Sequence, residues 1–195
     1  MQCLCSRGNP EPFKQNKIMH ESAYRHAQDF FDKYCKKDIE QKKILDIGSL
    51  DVNGTLKPIF EEGDYTGLDA EKGKNVDVVG TSHKIPFSKN TFDIVISSSC
   101  FEHDDMFWVS FLEMCRVLKP NGYMYINAPS NGPEHRFPVD NWRFYQDSWS
   151  ALEKWGQFKK HNIKLVESYI GRPSSRATGF GWLDSVGIYK LEEAH

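Results

Sequence analysis

Apolar positions along this chain follow two rhythms. From about His20 they take a helical spacing, with Ala23, Ala27, Phe30, Phe31 and Tyr34 on one face. Beyond Lys42 they gather instead into short, nearly unbroken runs. KILDI reads as a buried strand, DYTGLDA as a second, NVDVVG as a third, TFDIVISSS as a fourth and GYMYINAP as a fifth. Helical stretches fall between them. VNGTLKPIF is a weak one, because it contains Gly54 and Pro58. Trp108, Phe111, Leu112, Cys115 and Leu118 form a stronger face that stops at Pro120 and Gly122. DSWSALEKW predicts a further helix capped by Asp147. IKLVESYI and SVGIYKL are two late strands with no clear long helix between them.

This alternation predicts an α/β fold. A mostly parallel central sheet is covered by helices on both faces, and the last strands form an antiparallel edge. Residues 1–18 are rich in Pro, Asn, Lys and Gln and read as a loose arm, leaving residues 19–195 as a single domain. Ligands of such sheets bind beyond the carboxyl ends of the strands. The chemistry is therefore expected after Ile47, Leu68, Gly80, Ile96 and Ile126.

Composition narrows the partners. The 195 residues are 39% hydrophobic and 27% charged, with a formal net charge of −2. That balance gives no global pull toward nucleic acid or an anionic membrane. KKDIEQKK and FKKHNIK read as solvated faces. The N-terminal residues are too polar for a secretory signal. Cys3 and Cys5 have no second pair at zinc-finger spacing, and Cys35, Cys100 and Cys115 fall in apolar surroundings as reduced core residues. A cytoplasmic protein with a small-molecule partner is expected, with no nucleic-acid or membrane partner; the sequence sets no oligomeric state.

The first strand leads into LDIGSLDVNG. Gly48 permits a tight turn and a close backbone approach. A pyrophosphate loop needs glycines where Leu50 and Asn53 stand, and Asp51 adds negative charge there. This argues against an NAD-dependent dehydrogenase. Asp51 is expected at the positive end of the next helix. Asp69, ending the second strand, suits the two hydroxyls of an adenosine ribose.

The segments ILDIGS, YTGLDA, IPFSKNTFDIVISSSCFEH and FLEMCRVLKPNGYMYINAPS, in this order, resemble the class I S-adenosylmethionine-dependent methyltransferases, of the methyltransferase-11-like kind. The resemblance spans roughly residues 40–130 and implies a Rossmann-like domain with S-adenosyl-L-methionine as cofactor. It implies that Ile47, Gly48 and Ser49 line the methionyl part, with Asp46 either orienting the turn or touching ligand. Asp69 holds the ribose and Ala70 lies beside the adenine. Thr81 stands where the family often has an acid, followed by Ser82 and His83 at the adenine. Ser98 and Ser99 face the methionyl amine and the transferring methyl.

The loop APSNGPEHRFPVDNWRFYQDSW resembles methyltransferases of glycan and polysaccharide synthesis, which implies a sugar or other polar acceptor methylated on oxygen. Asp140, Arg143 and His135 can exchange hydrogen bonds with hydroxyls, and Trp142, Phe144 and Tyr145 can stack on a sugar ring. Alternatively, Asp140 and Arg143 form an intraloop ion pair and the aromatics are core. A sugar hydroxyl gains from a general base, His135 first and His103 second. Glu102, His103, Asp104 and Asp105 could coordinate Mg²⁺, but an acidic helix start explains the last two more simply, so no metal is expected. Rival readings are N- or C-methylation of a non-sugar metabolite and a non-catalytic methyltransferase-like binding module.

Overall fold

The computed structural model describes residues 21–171 and 182–193. The expected arm over residues 1–18, with Cys3 and Cys5, lies outside the described residues. The chain enters through α1 (Glu21–Phe30), which continues as one wider turn over Phe31–Cys35. The strands are β1 (Lys43–Ile47), β2 (Asp64–Asp69), β3 (Val78–Val79), β4 (Phe92–Ser98), β5 (Leu118–Pro129), β6 (Ile163–Ile170) and β7 (Asp184–Leu191). The other helices are α2 (Lys57–Phe60), α3 (Phe107–Val117) and α4 (Gln146–Phe158). No helix of the described residues is long and apolar enough to cross a membrane.

Among the described residues, seven strands join one sheet, in the order β3-β2-β1-β4-β5-β7-β6. The first five in that order run parallel, and β7 runs antiparallel to both of its neighbours. The expected antiparallel pair is therefore at the edge, with the final strand inserted inside it. Alternate side chains feed two separate cores. Ile44, Ile94, Ile96, Tyr125 and Ile188 pack under α1 and α2 with Phe30 and Phe60. Leu45, Val95, Met124, Ile126 and Tyr189 pack under α3 and α4 with Phe111 and Trp149. Both faces being covered explains why these strands read as continuous apolar runs.

Several local expectations are corrected. The helix expected over VNGTLKPIF shrinks to Lys57–Phe60, with Pro58 in its first turn. Gly54 takes φ +126, and its amide donates to the Asp51 carboxylate at 2.9 Å. That local bond offers the backbone a turn in place of a helix. Asp51 is thus a turn residue, also paired with Lys74 at 2.5 Å, and does not sit at the positive end of α2. Asp147 lies inside the first turn of α4, and the cap position is held by Tyr145. Leu118 opens β5 and does not close α3. Phe144 is core: 2% exposed, it stacks on Trp149 with ring centroids 5.3 Å apart. Burying a side chain of this size contributes roughly 2–3 kcal/mol and pins the long loop after β5 to the sheet.

Candidate functional site

β1 is flanked by β2 on one side and β4 on the other, so the chain leaves it in both directions across the sheet. Strand carboxyl ends splay apart at such a switch point and leave a crevice. A cavity of about 460 Å³ occupies it. Gly48 after β1, Asp69 at the end of β2, Ser98 at the end of β4 and Pro129 at the end of β5 all line it. Asp184 joins them because β7 runs the other way and presents its first residue at the same end.

One wall is the turn after β1. Gly48 has φ +79, and a Cβ there would lie 2.7 Å from the Cys100 side chain. Only glycine fits both the conformation and the space. Cys100 is therefore a wall residue against this turn, not core, and burial raises its thiol pKa well above the usual range. The amides of Gly48 and Ser49 donate to the Leu68 carbonyl, at 2.9 and 3.2 Å. Asp69 accepts from the amides of Leu50 (3.1 Å) and Glu71 (3.0 Å), one on each oxygen. Each carboxylate oxygen keeps a further acceptor site.

Of the other residues expected at the cofactor, Ala70, Ser98 and Ser99 line the cavity. Ser99 holds φ +53, while its amide donates to Asn127 O at 2.9 Å. Asp46, Ile47 and Ser49 are buried behind the turn and are not among the lining residues. Asp46 accepts from the Tyr65 hydroxyl, and burial pushes its pKa up to about 7. Thr81, Ser82 and His83 also lie outside the cavity lining. Thr81 Oγ1 accepts from the His83 amide at 3.2 Å. His83 Nε2 stands 2.6 Å from Asp104, and Ser82 donates to the same carboxylate at 3.3 Å. These residues brace a short turn against α3.

The opposite wall holds Glu102, His103 and His135. Glu102 is 1% exposed, and the Nε2 atoms of both histidines lie 3.7 Å from its Oε1. The rings of His103 and His135 meet edge to face, 4.9 Å between centroids. Glu102 is the main cause raising the His135 pKa, with Asp140 adding to it. Trp182 stands edge-on to His135 at 4.8 Å.

Asp140 and Arg143 form a bidentate ion pair at 2.5 and 2.7 Å, so the intraloop alternative holds for them. Asp140 also accepts the His135 amide at 2.7 Å, and Arg143 holds its carboxyl well below the usual carboxylate range. Together with Trp142 they line a second recess of about 310 Å³. Trp142 donates through Nε1 to Asp104 O at 2.8 Å. Tyr145 lines neither space and is 66% exposed. Asp104 and Asp105 are engaged away from His103 and His135: the first binds Ser82, His83 and the Met106 amide, the second Asn141.

Sequence reasoning missed Trp182 and Asp184 in the cavity wall, and considered Glu102 only with its acidic neighbours. The signal for Asp184 was present: an acid opening an antiparallel strand faces the ligand end of the sheet. Trp182 carried none, because its place depends on packing over Gly132.

Residues 59–126 match the family model described as a methyltransferase domain. A fatty-acid O-methyltransferase of Mycolicibacterium smegmatis is 28% identical over 120 residues, covering 54% of this chain and 42% of that enzyme. The chain thus aligns with less than half the length of that relative. The structure of a Burkholderia thailandensis 1,6-didemethyltoxoflavin-N1-methyltransferase, with bound substrate and S-adenosylhomocysteine, superposes with a TM-score of 0.68 at 17% identity. It covers 89% of this chain and 80% of that one. The [4+2]-cyclase SpnF superposes with a TM-score of 0.61 at 12% identity, covering 87% and 82%. Such low identities establish the fold and not the reaction. Residues 59–126 thus carry a methyltransferase-domain match, set in a fold that this chain shares with a methyltransferase of known structure.

Proposed function

We propose that this chain transfers the methyl group of S-adenosylmethionine to an oxygen of a polar small molecule, a saccharide being the first candidate. The observation that carries the reading is a single cavity with a nucleoside-type wall at Gly48 and Asp69 and an acid–base wall at Glu102, His103 and His135. The residues fit the cofactor. Gly48 leaves room where a Cβ would intrude, and Asp69 keeps acceptor sites for two ribose hydroxyls. When bound, the cofactor supplies an electrophilic sulfonium methyl.

The chain's own part is alignment and proton removal. Fixing an acceptor oxygen in line with the methyl carbon lowers the barrier by orientation alone. His135, beside the cavity, takes the hydroxyl proton, with His103 as second candidate. Asp140 and Arg143 hold the loop that delivers His135. The free thiols at Cys35, Cys100 and Cys115 suit a reducing compartment, and a cytoplasmic site of action is part of this proposal.

Calorimetry with S-adenosylmethionine, S-adenosylhomocysteine and NAD tests the cofactor. Binding of NAD with no response to the sulfur nucleosides overturns the reading. A methyl-transfer screen over nucleotide sugars, free glycans and fatty acids, read by mass, tests the acceptor. Transfer confined to fatty acids replaces the saccharide. Cofactor binding without transfer to any acceptor favours a binding module.

A further inference from the structure

Glu102 presents a problem in electrostatics. It is 1% exposed, and neither carboxylate oxygen has a hydrogen-bond partner among the described residues. A buried carboxylate is costly unless a donor or a cation meets it. The Nε2 atoms of His103 and His135 each lie 3.7 Å from its Oε1.

The far nitrogen of each ring already faces an acceptor. His103 Nδ1 lies 2.6 Å from the Val139 carbonyl oxygen. A carbonyl only accepts, so Nδ1 carries the hydrogen and a neutral ring turns its Nε2 lone pair toward Glu102. His135 Nδ1 lies 3.2 Å from Asp140 Oδ2, an oxygen fixed by Arg143 at 2.7 Å. This Nδ1 makes no hydrogen bond, but the facing acceptor favours the same tautomer. Three lone-pair atoms therefore lie within 4.8 Å of one another. With neutral rings they repel; a proton on one ring relieves part of this, and a divalent cation between them satisfies all three. Histidines that bind metals usually give the other ring N–H to a carboxylate or a backbone carbonyl. Here one histidine faces each.

We propose that Glu102, His103 and His135 bind one divalent transition metal, with zinc the best match and a fourth position open to the cavity. Two imidazoles and one carboxylate suit zinc better than magnesium, which prefers oxygen. The ligand atoms of a tetrahedral zinc site lie roughly 3.3 Å apart, so modest side-chain rotations close this set. A metal-bound His135 has no Nε2 lone pair left for a substrate proton. Resting on the reading of His135 as base, the zinc form is the idle form, and the metal acts as a brake on transfer.

The test uses the full chain, stripped of metal and titrated with zinc chloride in a calorimeter. One saturable equivalent is expected, weakened at least tenfold in Glu102→Gln and in His103→Ala. Far-UV circular dichroism and the thermal midpoint serve as the folding check for both variants. Absence of saturable zinc binding, or binding unchanged in folded variants, overturns the site. X-ray absorption at the zinc edge of the unaltered protein reads the ligands directly, whatever the variants do. Imidazole and oxygen neighbours are expected, and sulfur, as from Cys3 and Cys5, overturns the assignment. Zinc should slow transfer and chelation restore it; acceleration by zinc overturns the brake. Zinc binding is read without substrate or cofactor, so it stands or falls apart from methyl transfer.

Discussion

Asp69, at the end of β2, reaches across to the Leu50 amide in the turn after β1, 3.1 Å away. One carboxylate thus shapes the turn and faces the cavity. Asp69→Ala should weaken S-adenosylhomocysteine binding by at least ~1 kcal/mol, the scale of a hydrogen bond to a charged group. Calorimetry checks this, and unchanged affinity removes Asp69 from the cofactor site.

His135→Ala should keep cofactor affinity and lose turnover by about 100-fold or more, the usual contribution of a positioned base. Initial rates at saturating cofactor, beside a binding isotherm, separate the two effects. Full turnover in the variant assigns the proton to another group.

Asp46 links stability to pH. Burial raises its folded pKa from 3.8 to about 7, so the folded chain holds this proton more tightly than the unfolded chain does. The resulting stability is complete below the unfolded value and is lost as pH rises through about 7. Urea unfolding at pH 5 and pH 8 should show Asp46→Asn gaining stability relative to the parent at the higher pH. A difference independent of pH refutes the shift.

Arg143 and Arg136 give a matched contrast. The Asp140 side chain is 1% exposed and depends on Arg143, whereas Arg136 and Glu134 are 71% and 62% exposed. Arg143→Ala strands a buried carboxylate and should cost about 3 kcal/mol, against less than ~0.5 kcal/mol for Arg136→Ala. Denaturant midpoints of the two variants decide it. Equal losses mean that solvent reaches Asp140 freely.

The central strands were legible because a sheet covered on both faces demands unbroken apolar runs, and KILDI and TFDIVISSS supply them. Gly48 and Asp69 were legible because their positions at strand ends follow from the strands themselves. The rest depends on contacts distant in sequence. Nothing in VNGT announces that Asp51 will bind the Gly54 amide and forestall a helix. Thr81, Ser82 and His83 stand where the resemblance implied an adenine contact, yet Asp104 draws the latter two toward α3. Glu102 looked like one acid among several until the loop after β5 set His135 beside it.

The placement of β7 has a consequence for how the protein is made. β6 has β7 as its sheet neighbour, so it leaves the ribosome before the strand it must pair with exists. Until Asp184–Leu191 emerges, β5 keeps an open edge and Asp184 is missing from the cavity wall. Segments made earlier can begin to pack during synthesis. The binding crevice, by contrast, is completed only by β7, so a ribosome that stalls after β6 leaves an exposed sheet edge and an unfinished site.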